Sequence, residues 1–502
     1  MIWKWLKRSW KSSDDKAHST VTIPEMLDQL AESNDFLAYN AHTNNGTVYL
    51  SYSNPLVDAD ILHNHLLPQL VKYDINSIED LSKAIPFEQK SMTMDAEEAE
   101  KKIMNGFVSV QLQKGDHQTI LVPAGLSRAR QVATAEVEFS VLGPKEAFLE
   151  ALDTNLNLVR KRLPVHELKV DELSSGRLTK TRIAVLSMEG ITNKENVDTV
   201  KQRLNEIDFD QINDSSFLAQ MMADNSNSIF PQFIDTERPD RVASALAEGK
   251  VAILMDGSPM ALLAPTTLLE FFVAFEDYFL NWIIATSFRV IRVCSVLFSI
   301  FATPLYVAIL TFHYEMIPRD LMPTLITTRR EVPFPPIIEA LFLELTIELL
   351  REAGARLPTK VGQTIGIVGG IVIGTAAVEA GLTSNVLLII VALAALSSFT
   401  TPVYKMSNTI RLLRFPLLLA AQFWGLIGIV ICGTLIWTHL LRLTSLGRPY
   451  LEPLFPLRLS DFKDTLVRLP FSKQSLRPIQ MQTEKIERFK RKRAAKKKDI
   501  DE

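Results

Sequence analysis

Residues 362–380 read GQTIGIVGGIVIGTAAVEA, with Gly362, Gly366, Gly370 and Gly374 at a strict spacing of four. In a water-soluble helix this pattern is self-defeating, because each glycine costs about 1 kcal/mol relative to alanine. In a bilayer the same stripe lets a neighbouring backbone come very close. The stretch therefore predicts a membrane helix built for tight helix–helix contact. A second reading, compatible with the first in a ring of copies, has this helix lining a narrow central pore.

The surrounding sequence supports a membrane region. Val293–Phe312 carries no charge and would be about 30 Å long as a helix, enough to span a bilayer. Thr364–Leu382, Asn385–Tyr404 and Pro416–Leu440 are further apolar spans, which gives four expected crossings. The segment FPPIIEALFLELTIELL (334–350) is equally apolar but holds Glu339, Glu344 and Glu348. Carboxylates at membrane depth are expensive and normally face protein or a water-filled cavity. This segment could be a fifth crossing, a re-entrant helix or an interfacial one. Glu344 and Glu348 share a helix face, and Arg351 stands three residues beyond Glu348, within pairing range. Two readings stay open: a buried ion-pair network, or a water-exposed cation pathway. Glu379, at the end of the striped helix, is either an interfacial carboxylate in solvent or part of a ring at a pore mouth.

The whole chain conceals this division. Over 502 residues the apolar content is 47%, the charged content 22% and the net charge −3, with a mean hydropathy of only +0.11. These averages blend a soluble half with an apolar one. The expected fold class is an α+β or α/β cytoplasmic domain of two subdomains, followed by an α-helical transmembrane domain. The expected boundaries are a basic, Trp-rich membrane-proximal segment (1–18), subdomain 1 (19–140), subdomain 2 (141–265), an interfacial connector (266–285), the transmembrane helices (286–445) and a cytoplasmic basic tail (446–502).

The opening MIWKWLKRSWK lacks the apolar core and cleavage site of a signal peptide. Trp3, Leu6 and Trp10 share one helical face among basic residues, as in a segment lying at an anionic membrane surface, or else the stretch is a solvated tail. In the soluble part, EAEKKIMNGFVSVQLQKGDHQTILVPA resembles RVASALAEGKVAILMDGSPMALLAPT, each running helix, Gly, strand, turn, strand, Pro. Gly106 aligns with Gly249 and Pro123 with Pro265. This predicts two similar subdomains, split near Ala133–Gly143. Between the repeats, GPKEAFLEALDTNLNLVRKRL reads as one helix with Phe148, Leu149, Leu152, Leu156 and Val159 on its apolar face. The positive-inside tendency puts both termini in the cytoplasm, from Arg289 and Arg292 before the first span and Arg442 and Arg448 after the last. Lys405, Arg411 and Arg414 then fall outside, a conflict within that scheme. The final KIERFKRKRAAKKK reads as a solvated tail or one drawn to anionic lipid.

No catalytic set emerges. Cys294 and Cys432 lie in apolar runs and define no disulfide or zinc spacing. His63 and His65 are two apart and diverge on a helix. No glycine loop cradles a phosphate. The expectation is a chain that is not an enzyme, with no cofactor, no metal and no nucleic-acid partner.

Three stretches are identified with a known family: EVPFPPIIEALFLELTIELLREAGARLPTKVGQTIGIVGGIVIGTAAVEAGL (331–382), FPQFIDTERPDRVASALAEGKVAILMDGSP (230–259) and GPKEAFLEALDTNLNLVRKR (143–162). They resemble the A subunits of spore germinant receptors, the GerA family. The resemblance covers about 130–470. It implies a protein of sporulation and spore germination, in the spore inner membrane with both termini on the spore core side. It also implies a permease-like B subunit and a lipoprotein C subunit as partners, and self-assembly, with a pentamer suspected, into a nutrient-gated cation channel. A non-conducting membrane scaffold or signalling accessory is the alternative. A secondary transporter is disfavoured because the spans show no repeated halves.

Overall fold

The computed structural model describes residues 21–44, 46–126, 138, 141–356, 370, 372–458 and 461–489. The basic N-terminal segment, most of the expected split between subdomains, Gly362 and Gly366, and the final basic run from residue 490 onward lie outside the described residues.

The first unit holds α1 (Ile23–Leu30), β1 (Phe36–Thr43), β2 (Gly46–Ser53), α2 (Leu67–Lys72), α3 (Ile78–Ala84), β3 (Ser91–Thr93), α4 (Ala96–Ile103), β4 (Phe107–Gln111) and β5 (Thr119–Pro123). Its antiparallel sheet has the order β1-β2-β4-β5-β3. The second unit follows with α5 (Leu152–Arg162), β6 (Leu168–Ser175), β7 (Thr181–Met188), α6 (Lys194–Glu206), α7 (Ser215–Met221), β8 (Ile234–Thr236), α8 (Pro239–Ala247), β9 (Val251–Met255) and β10 (Ala261–Ala264). Its order, β6-β7-β9-β10-β8, is the same pattern. The faint sequence repeat is thus a structural repeat, with α4-β4-β5 matching α8-β9-β10. Asp95 starts α4 by accepting the Glu97 amide at 3.1 Å, which satisfies an otherwise orphaned donor.

Each sheet is covered on both faces. In the first unit, α1 and α4 cover one side through Met26, Leu27, Ala99 and Ile103. Leu62, Leu66, Leu70 and Leu81 cover the other. The two units are joined by Arg160 of α5. Its Nε and Nη2 donate to Asp35 Oδ2 and Oδ1, both at 2.7 Å, and both side chains are buried. The helix predicted from residue 143 begins only at Leu152. Phe148 is buried ahead of it, and the Leu149 amide donates to Asn155 Oδ1 at 2.8 Å. The apolar spacing of 148 and 149 therefore reflects burial of an extended lead-in rather than helix.

The helical region comprises α9 (Trp282–Phe312), α10 (Met322–Arg329), α11 (Pro336–Arg356), α12 (372–379), α13 (Asn385–Ser398) and α14 (Tyr404–Arg442). Both α9 and α14 are long and apolar enough to cross a bilayer. The chain is an integral membrane protein on that ground.

α14 is not straight. At Gly425 the backbone turns to φ 59°, ψ −137°, and a Cβ there would lie 2.8 Å from His313 Cε1. The Thr409 hydroxyl donates to the Ile229 carbonyl at 2.7 Å, while His439 Nε2 lies 2.9 Å from the Ser228 hydroxyl. An unbroken helix would hold residues 409 and 439 about 45 Å apart. Touching adjacent residues 228 and 229 requires two arms, 404–424 and 426–442, folded back on each other. This fold removes the charge conflict. Lys405 opens the ascending arm beside the sheets, where it pairs with Asp235, and Arg411 and Arg414 lie further along that arm, facing Glu348 and Glu344 inside the bundle. α13 ends at Ser398, short of the expected Tyr404, which instead opens α14.

Two further features concern the flanks of the bundle. The connector expected at 266–285 makes short 3₁₀ turns, Leu268–Phe272 and Phe275–Phe279, with Phe271 and Asp277 buried. Residues 443–458 and 461–489 are not an exposed tail. Tyr450 and Leu451 enter the core of the second unit, Arg448 pairs with Glu195 at 3.1 Å, and Arg488 pairs with Glu248 at 2.9 Å. This C-terminal strap also holds the start of α9: Arg289, buried, pairs with Asp277 at 3.2 Å and Asp464 at 3.4 Å.

Candidate functional site

The three carboxylates of α11 form a ladder of ion pairs along the bundle. α11 starts at Pro336, where the fixed φ of proline suits a first turn, and runs from the far end of the bundle toward the sheets. At the far end, Glu339 is fully buried. Its Oε1 accepts from Arg329 Nη2 at 2.8 Å and its Oε2 from the Ser384 amide at 3.1 Å. In the middle, Glu344 Oε2 accepts from Arg414 Nη1 at 2.8 Å, with both side chains 2% exposed. Near the sheets, Glu348 Oε2 accepts from Arg351 Nε and Nη2 at 2.9 and 2.7 Å. Arg411 Nε stands 3.4 Å from Glu348 Oε1. The ascending arm of α14 runs opposite to α11, so Arg414 meets Glu344 and Arg411 meets Glu348.

The Arg414–Glu344 rung ties four helices. Besides Glu344, Arg414 Nη2 donates to the Ser299 hydroxyl of α9 at 2.8 Å and the Ala394 carbonyl of α13 at 3.2 Å. Glu344 Oε1 accepts from Thr303 of α9 at 3.0 Å. Desolvating two ions costs several kcal/mol each, and only such dense bonding offsets it. Around the rung pack Tyr306, Val307, Ala340, Leu343, Val391, Leu417 and Ala421. Of the two readings of Glu344, the buried ion-pair network fits this geometry. The predicted Glu348–Arg351 pair is present.

The striped helix is placed differently. Gly370 is exposed, and a Cβ built on it meets nothing within 4 Å among the described residues. A Cβ on Gly374 makes ordinary contact with Leu388 at 3.7 Å. Glu379 is exposed. None of the three has a hydrogen bond or ion pair to the ladder among the described residues. Among the described residues no cluster suits a metal ion.

Sequence reasoning did not assign Arg411, Arg414, Ser299 and Thr303 to the site. Arg411 and Arg414 stand three apart and Glu344 and Glu348 four apart, each pair within one helical turn, and two such pairs of opposite charge beside apolar runs were the available signal.

A family model described as Bacillus/Clostridium GerA spore germination protein matches residues 24–480. The chain belongs to the GerA family of spore germination proteins. It is similar to spore germination protein GerQA of Bacillus cereus, 49% identical over 94% of this chain and 95% of that protein. It is also similar to spore germination protein A1 of Bacillus subtilis, 38% identical over 89% and 92%. A solved N-terminal domain of the A subunit of the Bacillus megaterium germinant receptor GerK3 is 26% identical. It covers 48% of this chain and 91% of that one, with a TM-score of 0.37. As a GerA-family A subunit, the chain is a non-catalytic receptor component with a germinant-receptor role in spore germination.

Proposed function

We propose that this chain is the A subunit of a nutrient receptor in the spore inner membrane and that several copies enclose a nutrient-gated cation channel. A permease-like B subunit and a lipoprotein C subunit complete the receptor. The sheet units and the strap lie on the spore core side. The observation that carries the reading is the contrast within the bundle. The acids of α11 are spent on ion pairs inside one chain, whereas on the described part of the glycine helix Gly370 is open and Glu379 exposed. A charged passage would then form between copies, with the striped helices packed through their small residues and Glu379 supplying the ring of charge.

Because a Cβ at Gly370 meets nothing among the described residues, Gly370→Leu is expected to spare the subunit fold and to report on contacts between chains. Spores carrying Gly370→Leu or Glu379→Ala are expected to release monovalent cations much more slowly on nutrient addition, at normal receptor levels. Unchanged release in both would refute the pore and favour a non-conducting scaffold.

A further inference from the structure

At the end of the bundle remote from the sheets, the connection between α9 and α11 folds over a groove of about 590 Å³. This volume falls in the range of small-molecule sites, about 300–1,000 Å³. The walls are Leu310, Tyr314, Ile317, Met322, Leu325 and Ile326, and Arg329 and Arg330 stand at the rim. The two arginines differ. Arg329 is committed to Glu339 and, at 3.4 Å, to the Phe334 carbonyl. The exposed Arg330 guanidinium has no hydrogen-bond or ion-pair partner among the described residues. The groove therefore combines an apolar chamber with one uncompensated positive charge.

The surroundings identify the occupant. The last turns of α9 present exposed apolar side chains, among them Leu305 and Phe312. Beyond them Tyr314, Met316, Leu321 and Ile326 are more than half exposed and are interspersed with Glu315, Arg319, Asp320 and Glu331. Mixed aromatic, apolar and charged exposure of this kind belongs at the lipid–water boundary. A guanidinium fork matches a phosphate diester in shape and charge.

We infer that this groove holds one anionic phospholipid, its phosphate on Arg330 and the first methylenes of an acyl chain along Leu310, Met322 and Ile326. The inference rests on the membrane reading of α9 and α14. A lipid of one net negative charge neutralises the groove, whereas a zwitterionic lipid leaves its own cationic group beside Arg329 and Arg330.

The test uses the full chain purified from membranes and reconstituted with phosphatidylglycerol or phosphatidylcholine, with bound lipid counted by native mass spectrometry. Phosphatidylglycerol retention is expected to exceed phosphatidylcholine retention and to fall about fivefold in Arg330→Gln. It should fall similarly in Ile326→Trp, which fills the groove. Arg319→Gln, on the same connection but off the groove, should retain lipid as the parent does. Equal retention of the two lipids, parental retention in Arg330→Gln, or displacement by inorganic phosphate alone would overturn the inference. Alkaline extraction of the same membranes separates the two levels of the argument. A chain that stays in the pellet but shows no lipid preference refutes the groove alone, and a chain released to the supernatant refutes the membrane reading beneath it.

Discussion

The two sheet units share one strand order and differ in what leans on them. The first closes on its own residues: its two core clusters draw only on residues 23–124. In the second, the cluster containing Leu156, Leu186 and Leu246 also contains Val296 of α9, Met406, Ile410 and Leu440 of α14, and Tyr450 of the strap. The matched glycines show the same contrast. A Cβ on Gly106 would strike the Gly125 Cα at 2.7 Å and the Leu56 carbonyl at 2.9 Å, both in its own unit. On Gly249 it would strike Thr483 Cγ2, in the strap. A repeated fold has thus been given two jobs. The second unit is the seat of the helical bundle, and the first reaches the bundle through it.

The largest expected effect comes from cutting the joint between the units. Asp35→Ala leaves the buried Arg160 guanidinium without its carboxylate, a loss of about 3–5 kcal/mol. In thermal unfolding followed by limited proteolysis, unit 1 should be released first while the strap and bundle stay protected. Simultaneous loss of both units would mean that the first unit is as tightly seated as the second.

The glycine pair tests the contrast at a smaller scale. Gly106→Ala and Gly249→Ala each place a side chain at positive φ, 86° and 97°, a cost of about 1–2 kcal/mol. Gly106→Ala must also displace backbone, so it should destabilise more in a thermal melt. Adding Thr483→Ala should recover part of the Gly249→Ala loss and none of the Gly106→Ala loss. Equal response to Thr483→Ala in both backgrounds would break the assignment.

The smallest effect is a pH dependence of the strap. Burial, with Glu248 nearby, raises the Asp464 carboxyl from its ordinary 3.8 to about 6, partly countered by Arg289. The folded strap thus binds more protons than the unfolded one between these values, and its stability falls as pH rises from about 4 through 6 and then levels off. Hydrogen exchange over 461–489 should quicken across that window and lose the dependence in Asp464→Asn. An unchanged profile in Asp464→Asn would assign the dependence to another group.

Local pattern carried much of the fold in the sequence. The repeat with its strand-turn-strand units, α9 and the Glu348–Arg351 pair all rest on contacts close in sequence. What escaped depends on distant partners. Nothing near Gly425 distinguishes a fold-back from a tolerated membrane glycine until His313 and the 228–229 loop are in place. Arg414 read as a topological misfit because its partners, Ser299, Glu344 and Ala394, come from three other helices. The strap read as a tail because a Pro- and Arg-rich stretch without periodicity signals exposure unless a preformed surface receives it.

The central claim is that each chain locks its own acids in the bundle and leaves conduction to the face between copies. Single-channel recording of the reconstituted oligomer tests it with two neutralisations: Glu344→Gln combined with Arg414→Gln, which removes both charges of the central rung, and Glu379→Gln. The account predicts that Glu379→Gln lowers unitary cation conductance while the double variant leaves it unchanged in the channels that assemble. Conductance that falls with the Glu344/Arg414 pair and not with Glu379 would contradict it.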